Sequence, residues 1–160
     1  MIVREAGPAD AAAVRIVAKA AWRATYTGLV SSRTIDTFVD TAYSIDRLQR
    51  RIDRHTFLVV EEEGSIIAFA DATPNDGRVN LGAIYADPAR RGKGAGTLLL
   101  TELQSRFPGL PIAADVLRGN RKGEVFYERR GFVPREEIDS DLFGEPVVER
   151  RWWLTARLGE

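Results

Sequence analysis

The 160-residue chain contains no cysteine, one histidine and one methionine. The absence of cysteine excludes disulfides, thiolate zinc sites and a cysteine nucleophile. The single histidine, His55, has no partner motif beside it, so neither a catalytic triad nor a zinc site is expected. Catalysis by this chain must therefore depend on other side chains, and no metal is expected.

The chain also has no excess of charge of either sign. Lys plus Arg and Asp plus Glu number 23 each, so no net field attracts nucleic acid or an anionic membrane. The segment from Met1 to Asp10 lacks the basic flank and apolar stretch of a secretory signal. We therefore expect a cytoplasmic protein that binds neither nucleic acid nor membrane. Its length fits one domain, residues 1–160.

Three glycines, Gly92, Gly94 and Gly96, follow an apolar run and precede an apolar helical segment. This order predicts a strand, a tight turn and a helix start with unpaired backbone N–H groups, which favours phosphate binding. A Walker loop is excluded because Lys93 is followed by Gly94, and the dinucleotide fingerprint is excluded because its third glycine position holds Thr97. A turn that only joins strand to helix is the alternative.

Two motifs together resemble the GCN5-related N-acetyltransferase (GNAT) family. Arg91, Gly94 and Gly96 match the spacing of that family's pyrophosphate loop, which is Arg or Gln, two residues, Gly, one residue, then Gly or Ala. Asn120 is followed seven residues later by Tyr127, within VFYERRGF, which is similar to the family's second signature. The resemblance covers residues 79 to 133 and is weak in the first 55 residues.

The pattern of apolar runs predicts the element order β, α, α, several β, α, β, α, β, β, hence an α+β fold. The resemblance implies a mixed, mainly antiparallel central sheet with helices on both faces. It also implies a splayed pair of parallel strands, with the cofactor's pantetheine arm in the wedge between them. We expect one of these strands at residues 79–86, with Gly82 as a bulge or a point of close approach. The last strands are expected at Phe132, Val133 and residues 147–158.

The resemblance implies an N-acetyltransferase that passes the acetyl group of acetyl-CoA to a primary amine by direct attack in a ternary complex. The amine would belong to a small molecule, a peptide or a protein. A side chain at Gly94 or Gly96 is expected to occupy space that the phosphates need. The residues that the resemblance assigns to the cofactor are Ile84, Tyr85, Ala86, Arg91, Gly92, Lys93, Gly94, Ala95, Gly96, Thr97 and Asn120.

Two catalytic candidates follow from the resemblance. Tyr127 is expected beside the sulfur, where a phenol can protonate the departing thiolate. Asp115 stands where some members of the family have a glutamate base, five residues before the motif asparagine, with a side chain one methylene shorter. A salt-bridged or solvated Asp115 is the alternative. Other members have a glutamate where this chain has Asn80, which cannot act as a base.

The sequence gives a weaker signal for the residues that would bind the acceptor amine. Trp22 and Tyr26 lie on the segment that borders the acceptor in similar proteins, although aromatic residues at helical spacing are usually core residues. A catalytically weak acyl-CoA sensor of the same fold stays open as an alternative function, and a homodimer is expected only at the level of the family.

Overall fold

The computed structural model describes residues 1–156, so Arg157 and Leu158, which the sequence places in the last strand, lie outside the described residues. The helices are α1 (Ala11–Tyr26), α2 (Ser32–Ala42), α3 (Ile45–Arg54), α4 (Ala95–Arg106) and α5 (Arg121–Arg129). The strands are β1 (Ile2–Glu5), β2 (Thr56–Glu62), β3 (Ser65–Asn75), β4 (Arg78–Ala86), β5 (Ile112–Leu117), β6 (Val133–Leu142) and β7 (Glu145–Leu154). None of these helices is both long enough and apolar enough to cross a membrane.

All seven strands form one sheet in the order β1-β2-β3-β4-β5-β7-β6. Every neighbouring pair is antiparallel except β4 and β5, which are parallel. The crossover between them is α4, as a parallel connection requires. The predicted mixed, mainly antiparallel sheet with one parallel pair is confirmed.

Helices cover both faces of the sheet, which also confirms the prediction. On one face α4 buries Leu99 and Leu103 against β2, β3 and β4. On the other face α1, α2 and α3 form a second core, in which Trp22 stacks on Phe38 with 3.9 Å between ring centroids. α1 buries an apolar stripe of Val14, Val17, Ala18, Ala21 and Trp22, which are spaced at helical intervals in the sequence.

A buried polar cluster ties α3 to the sheet beneath the second core. Asp71 on β3 accepts a hydrogen bond from Arg51 Nε at 2.8 Å, and its other oxygen lies 2.8 Å from His55 Nδ1. The Arg51 guanidinium also lies over the Tyr43 ring, 4.7 Å from its centroid. The single histidine therefore belongs to a structural cluster with a paired buried carboxylate.

The parallel pair separates soon after it forms. Only three residue pairs join β4 to β5, and the last is Leu81 with Ala114. Beyond it β4 continues to Ala86 and β5 continues to Leu117 without pairing to each other. The register between β3 and β4 shifts at the same place. Asp71 pairs with Ala83 and Ala72 pairs with Leu81, so Gly82 has no partner and forms a bulge. The splayed wedge and the bulge at Gly82 are both confirmed.

Candidate active site

A cavity of about 440 Å³ fills the wedge between the separated ends of β4 and β5. Its walls come from β4, the glycine turn, the first turns of α4 and α5, and β5, and Tyr26 at the end of α1 closes one side. The backbone of β4 beyond Leu81 has no strand partner on this side. Since unpaired backbone groups in a cavity favour a ligand that pairs with them, an extended amide-containing chain fits here.

The glycine turn places bare backbone at one end of this cavity. Gly92 and Gly94 have φ angles of 81° and 88°, in the left-handed region that side chains rarely adopt. Gly94 is the N-cap residue of α4, and no side chain caps the helix start. The first N–H groups of α4 are therefore available to an anion, with the positive end of the helix dipole behind them.

The reason for Gly96 differs from the one that the sequence predicts. A Cβ atom at Gly96 would lie 2.5 Å from Cε2 of Phe126, whereas a Cβ atom at Gly94 would have nothing within 4 Å. Gly96 is therefore required for the close packing of α4 on Phe126 of α5. Gly94 is required for its backbone conformation. The expectation that a side chain at Gly96 would meet the phosphates first is wrong, because the ring is in the way.

Arg130, which sequence reasoning did not assign to the cofactor, also lines the cavity. Its guanidinium carbon lies 3.7 Å from the centroid of the Phe126 ring, and it donates to the Thr97 hydroxyl at 2.8 Å. Its Nε is buried and has no hydrogen-bond partner within residues 1–156. Burial lowers the pKa of Arg130, so the site favours an added negative charge. In the sequence, the only sign of this role was that Arg130 is the second of two arginines shortly after Tyr127.

The predicted cofactor residues divide into two groups. Those in the cavity wall are Ile84, Tyr85, Ala86, Arg91, Gly92, Gly94, Ala95, Gly96 and Asn120. Lys93 and Thr97 are not part of that wall. Lys93 Nζ contacts Glu62 at 3.3 Å, together with Arg90, and the Thr97 hydroxyl accepts the Arg130 hydrogen bond.

Asn120 is the N-cap residue that immediately precedes α5, and its side-chain amide has both a hydrogen-bond acceptor and hydrogen-bond donors. Its Oδ1 accepts a hydrogen bond from the backbone N–H of Gly123 at 3.0 Å, which caps the helix. A Cβ atom at Gly123 would lie 2.6 Å from Asn120 Nδ2, so glycine makes room for the cap. The amide also lines the cavity, where its remaining N–H donors can reach a ligand.

Tyr127 reaches the cavity from the buried side of α5. The residue is 8% exposed, and its ring packs edge-on against Phe126 and Phe132 with centroids 5.2 and 4.9 Å away. Its hydroxyl forms no hydrogen bond within residues 1–156. Burial, with a smaller effect from Tyr26 and Asp115, raises its pKa above the usual value of a phenol. The hydroxyl is therefore protonated at neutral pH and has no other acceptor to serve.

Asp115 lines the opposite wall of the cavity on β5. Arg151 faces it on β7 and holds both carboxylate oxygens, with Nε at 2.8 Å and Nη2 at 3.1 Å. Asn80, at the other position where the family has an acid, accepts a hydrogen bond from Arg78 Nε at 3.0 Å. The structure therefore shows Asp115 in a salt bridge, which is the alternative to a free base.

Of the two acceptor-side candidates, the structure brings only Tyr26 to the cavity. The Tyr26 hydroxyl lies 2.9 Å from the Tyr85 hydroxyl, and burial raises the pKa of both groups. Trp22 is 6% exposed and lies behind Tyr26, with 4.2 Å between their ring centroids. Trp22 is therefore placed to support Tyr26 rather than to reach the cavity.

Comparisons with known proteins place this geometry in context. A family model described as an acetyltransferase (GNAT) domain matches residues 53–134. Spermidine N(1)-acetyltransferase of Thermoplasma acidophilum is 27% identical to the chain in an alignment of 142 positions that covers 83% of this chain and 88% of the relative.

Solved structures show the same fold. PaiA N-acetyltransferase from Thermoplasma acidophilum, in complex with coenzyme A, superposes with a TM-score of 0.79 and 24% identity over 93% of this chain and 96% of its own. A GCN5-related N-acetyltransferase from Rhodopseudomonas palustris superposes with a TM-score of 0.81 and 19% identity over 96% of this chain and 94% of its own.

Proposed function

Since the chain belongs to the GNAT family and is an N-acetyltransferase, we propose that it transfers the acetyl group of acetyl-CoA to a primary amine by direct attack in a ternary complex. The observation that supports this most is that one cavity is lined by an unpaired strand edge, a bare helix start and Tyr127. These three features match the amide arm, the diphosphate and the leaving sulfur of a single carrier molecule.

The residues present fit such a carrier. The backbone of Ile84, Tyr85 and Ala86 would pair with the pantetheine arm, and the first N–H groups of α4 would hold the diphosphate. The unpaired buried Nε of Arg130 supplies a further donor on the same side. Acetyl-CoA would supply the acetyl group, which is activated because a thioester bond joins it to sulfur.

Tyr127 is proposed as the proton donor for the departing thiolate. The residue lines the cavity, and its hydroxyl is protonated at neutral pH and has no hydrogen-bond partner within residues 1–156. A positioned proton donor contributes typically about 10²- to 10⁴-fold to the rate. The side chain needs no reorientation of a hydrogen-bond network before it acts, because it belongs to none.

A polyamine is the first acceptor to test. The relative from Thermoplasma acidophilum is named for spermidine, whereas membership of the GNAT family does not specify which amine is acetylated. An alkyl amine with a pKa of about 10.4 is neutral only in about one molecule in 2,500 at pH 7. The acceptor side must therefore hold an ammonium group and remove its proton.

Release of free thiol from acetyl-CoA, measured across a panel of amines, tests the proposal. The panel contains spermidine, amino acids, an aminoglycoside and a peptide with a free N-terminus. We expect turnover with at least one amine, and its loss in Tyr127→Phe. Binding of acetyl-CoA without turnover of any amine would instead favour the alternative, an acyl-CoA sensor of the same fold.

A further inference from the structure

One carboxylate near the acceptor side of the cavity has no cationic partner. Glu149 lies on β7, directly opposite Leu117 of β5 and Ile138 of β6, and is half-buried. It is two residues from Arg151, which holds Asp115 in the cavity wall. Since alternate residues of a strand share a face, Glu149 lies on the same face of the sheet as that ion pair.

The arginines near Glu149 are all bound elsewhere. Arg150 points to the other face, where it donates to Glu137 at 2.7 Å, and Arg118 donates to the same carboxylate at 2.8 Å. Arg151 is held by Asp115. Within residues 1–156, Glu149 therefore forms no salt bridge, although it is half-buried and is followed by Arg150 and Arg151 in the chain; its side-chain hydrogen bond is with Ser140.

The groups that face Glu149 come from four elements. Tyr26 of α1 is close enough for the Glu149 charge to raise its pKa, and Asp115 of β5 raises the pKa of Glu149 in turn. Burial is the larger cause of that raised pKa, whereas the Ser140 side chain of β6 and Arg151 of β7 lower it. A nearby cation stabilises a half-buried carboxylate of this kind, and its raised pKa makes it a better proton acceptor than an exposed glutamate.

Building on the proposed N-acetyltransferase function, we propose that Glu149 binds the ammonium group of the acceptor and takes its proton. Glu149 lies next to the cavity wall rather than in it, on the face of β7 that also carries the Asp115–Arg151 pair, and it has no cationic partner within residues 1–156. Asp115 and Arg151 then position the acceptor site, and Asp115 is not the base.

The protons and bonds balance in this scheme. One ammonium proton passes from nitrogen to the Glu149 carboxylate and later to solvent. The neutral nitrogen forms a bond to the carbonyl carbon as the bond from carbon to sulfur breaks. Tyr127 gives its proton to the sulfur and regains one from the nitrogen, which leaves an amide and a thiol.

The experiment compares the full chain with its variants Glu149→Gln, Glu149→Asp and Asp115→Asn, and uses Glu137→Gln as the matched control. Glu137 is a carboxylate on the neighbouring strand, bound to two arginines on the opposite face. The first readout is kcat/KM for spermidine, or for the best amine of the panel, from pH 5 to 10. The second readout is calorimetric binding of that amine to the CoA-saturated protein.

We expect kcat/KM of the parent to rise with pH until Glu149 is ionised and then to level off. In Glu149→Gln only amine that solvent has deprotonated reacts, so kcat/KM should fall about 100-fold near pH 7 and climb about tenfold per pH unit towards the amine pKa. Glu149→Asp should restore the plateau at a lower level. Amine binding should weaken in Glu149→Gln, with CoA binding unchanged, and Glu137→Gln should match the parent in both readouts.

The two possible failures are distinguishable. If Glu149→Gln keeps the parental pH profile and amine affinity, or if Asp115→Asn alone abolishes the plateau, the assignment of Glu149 is wrong and the acetyltransferase function stands. If the parent acetylates no amine at all, the proposed function fails and the assignment fails with it.

Discussion

The two sides of the cavity differ in composition, because one is formed mainly by backbone and the other mainly by side chains. The proposed cofactor side is largely backbone from one segment of the chain between Ile84 and Gly96, with glycines at the turn. The proposed acceptor side consists of side chains from three separate elements, namely Tyr26 of α1 and Asp115 of β5 in the cavity wall and Glu149 of β7 next to it. A backbone site depends on local spacing, whereas a side-chain site depends on tertiary packing and can change its specificity one residue at a time.

The largest effect is expected where the two sides meet, at Tyr127. Tyr127→Phe removes the proton donor and leaves the packing against Phe126 and Phe132 in place. We expect kcat to fall about 100-fold or more, while the affinity for CoA changes less than about threefold. Steady-state kinetics with calorimetric CoA binding gives both values, and an unchanged kcat would remove Tyr127 from the mechanism.

The pH dependence of kcat tests the same residue independently. A proton donor must be protonated to act, and the pKa of Tyr127 is raised above the ordinary value of a phenol, which is about 10. Activity that depends on Tyr127 should therefore persist to high pH, with no fall in kcat below about pH 10. A loss of kcat between pH 8 and 9 in a protein that is still folded would contradict the assignment.

Gly96 tests the packing that supports the cofactor side. Gly96→Ala places a Cβ atom against the Phe126 ring, so we expect a loss of about 1–3 kcal/mol in the free energy of unfolding. Urea denaturation measures it. If the Phe126 ring causes this loss, the double variant Gly96→Ala/Phe126→Leu should lose less stability than the sum of the losses in the two single variants. Strict additivity would show that the ring is not the obstacle.

Gly94 tests the helix start itself, with a matched control at the other end of α4. Gly94 and Gly109 have φ angles of 88° and 79°, and a Cβ atom at either meets nothing within 4 Å. Each change to alanine should cost about 1–2 kcal/mol of stability through the left-handed backbone. Only Gly94→Ala should also weaken CoA binding, by several-fold in a calorimetric titration. Equal CoA affinity in the two variants would separate the turn from phosphate binding.

The smallest effect on stability is expected on the acceptor side, at Asp115. The ion pair with Arg151 is partly exposed, so Asp115→Asn should cost less than about 1 kcal/mol in the free energy of unfolding. Its effect should appear in KM for the amine instead, since Arg151 would lose its fixed position. A KM for acetyl-CoA that rises while the amine KM stays constant would place Asp115 on the cofactor side.

This contrast explains which parts were predictable from the sequence. The motifs that contain Arg91, Gly94, Gly96, Asn120 and Tyr127 are local in the chain, and the family resemblance that they carry implied the parallel pair and the wedge, both of which are present. The roles of Gly96 and Arg130 could not be predicted, since both depend on how α4 packs on Phe126.

The acceptor side was predictable only in part for the same reason. Tyr26 lines the cavity, but Trp22 lies behind it in the aromatic core. The pairing of Asp115 with Arg151 arises from the register of β5 on β7, which no local pattern specifies. Glu149 carried no signal at all, because its surroundings are set by where its neighbouring arginines bind.

The most direct test of the central claim is a calorimetric comparison of CoA with pantetheine, which has the same amide arm and thiol but lacks the diphosphate and the phosphorylated adenosine; the comparison is made in the parent and in Gly94→Ala, where the difference should shrink if the diphosphate causes it. If the bare start of α4 and Arg130 bind the diphosphate, CoA should bind about 100-fold more tightly, a difference of roughly 2.7 kcal/mol. Equal affinities for the two molecules, or no heat of binding with CoA at millimolar concentration, would contradict the account.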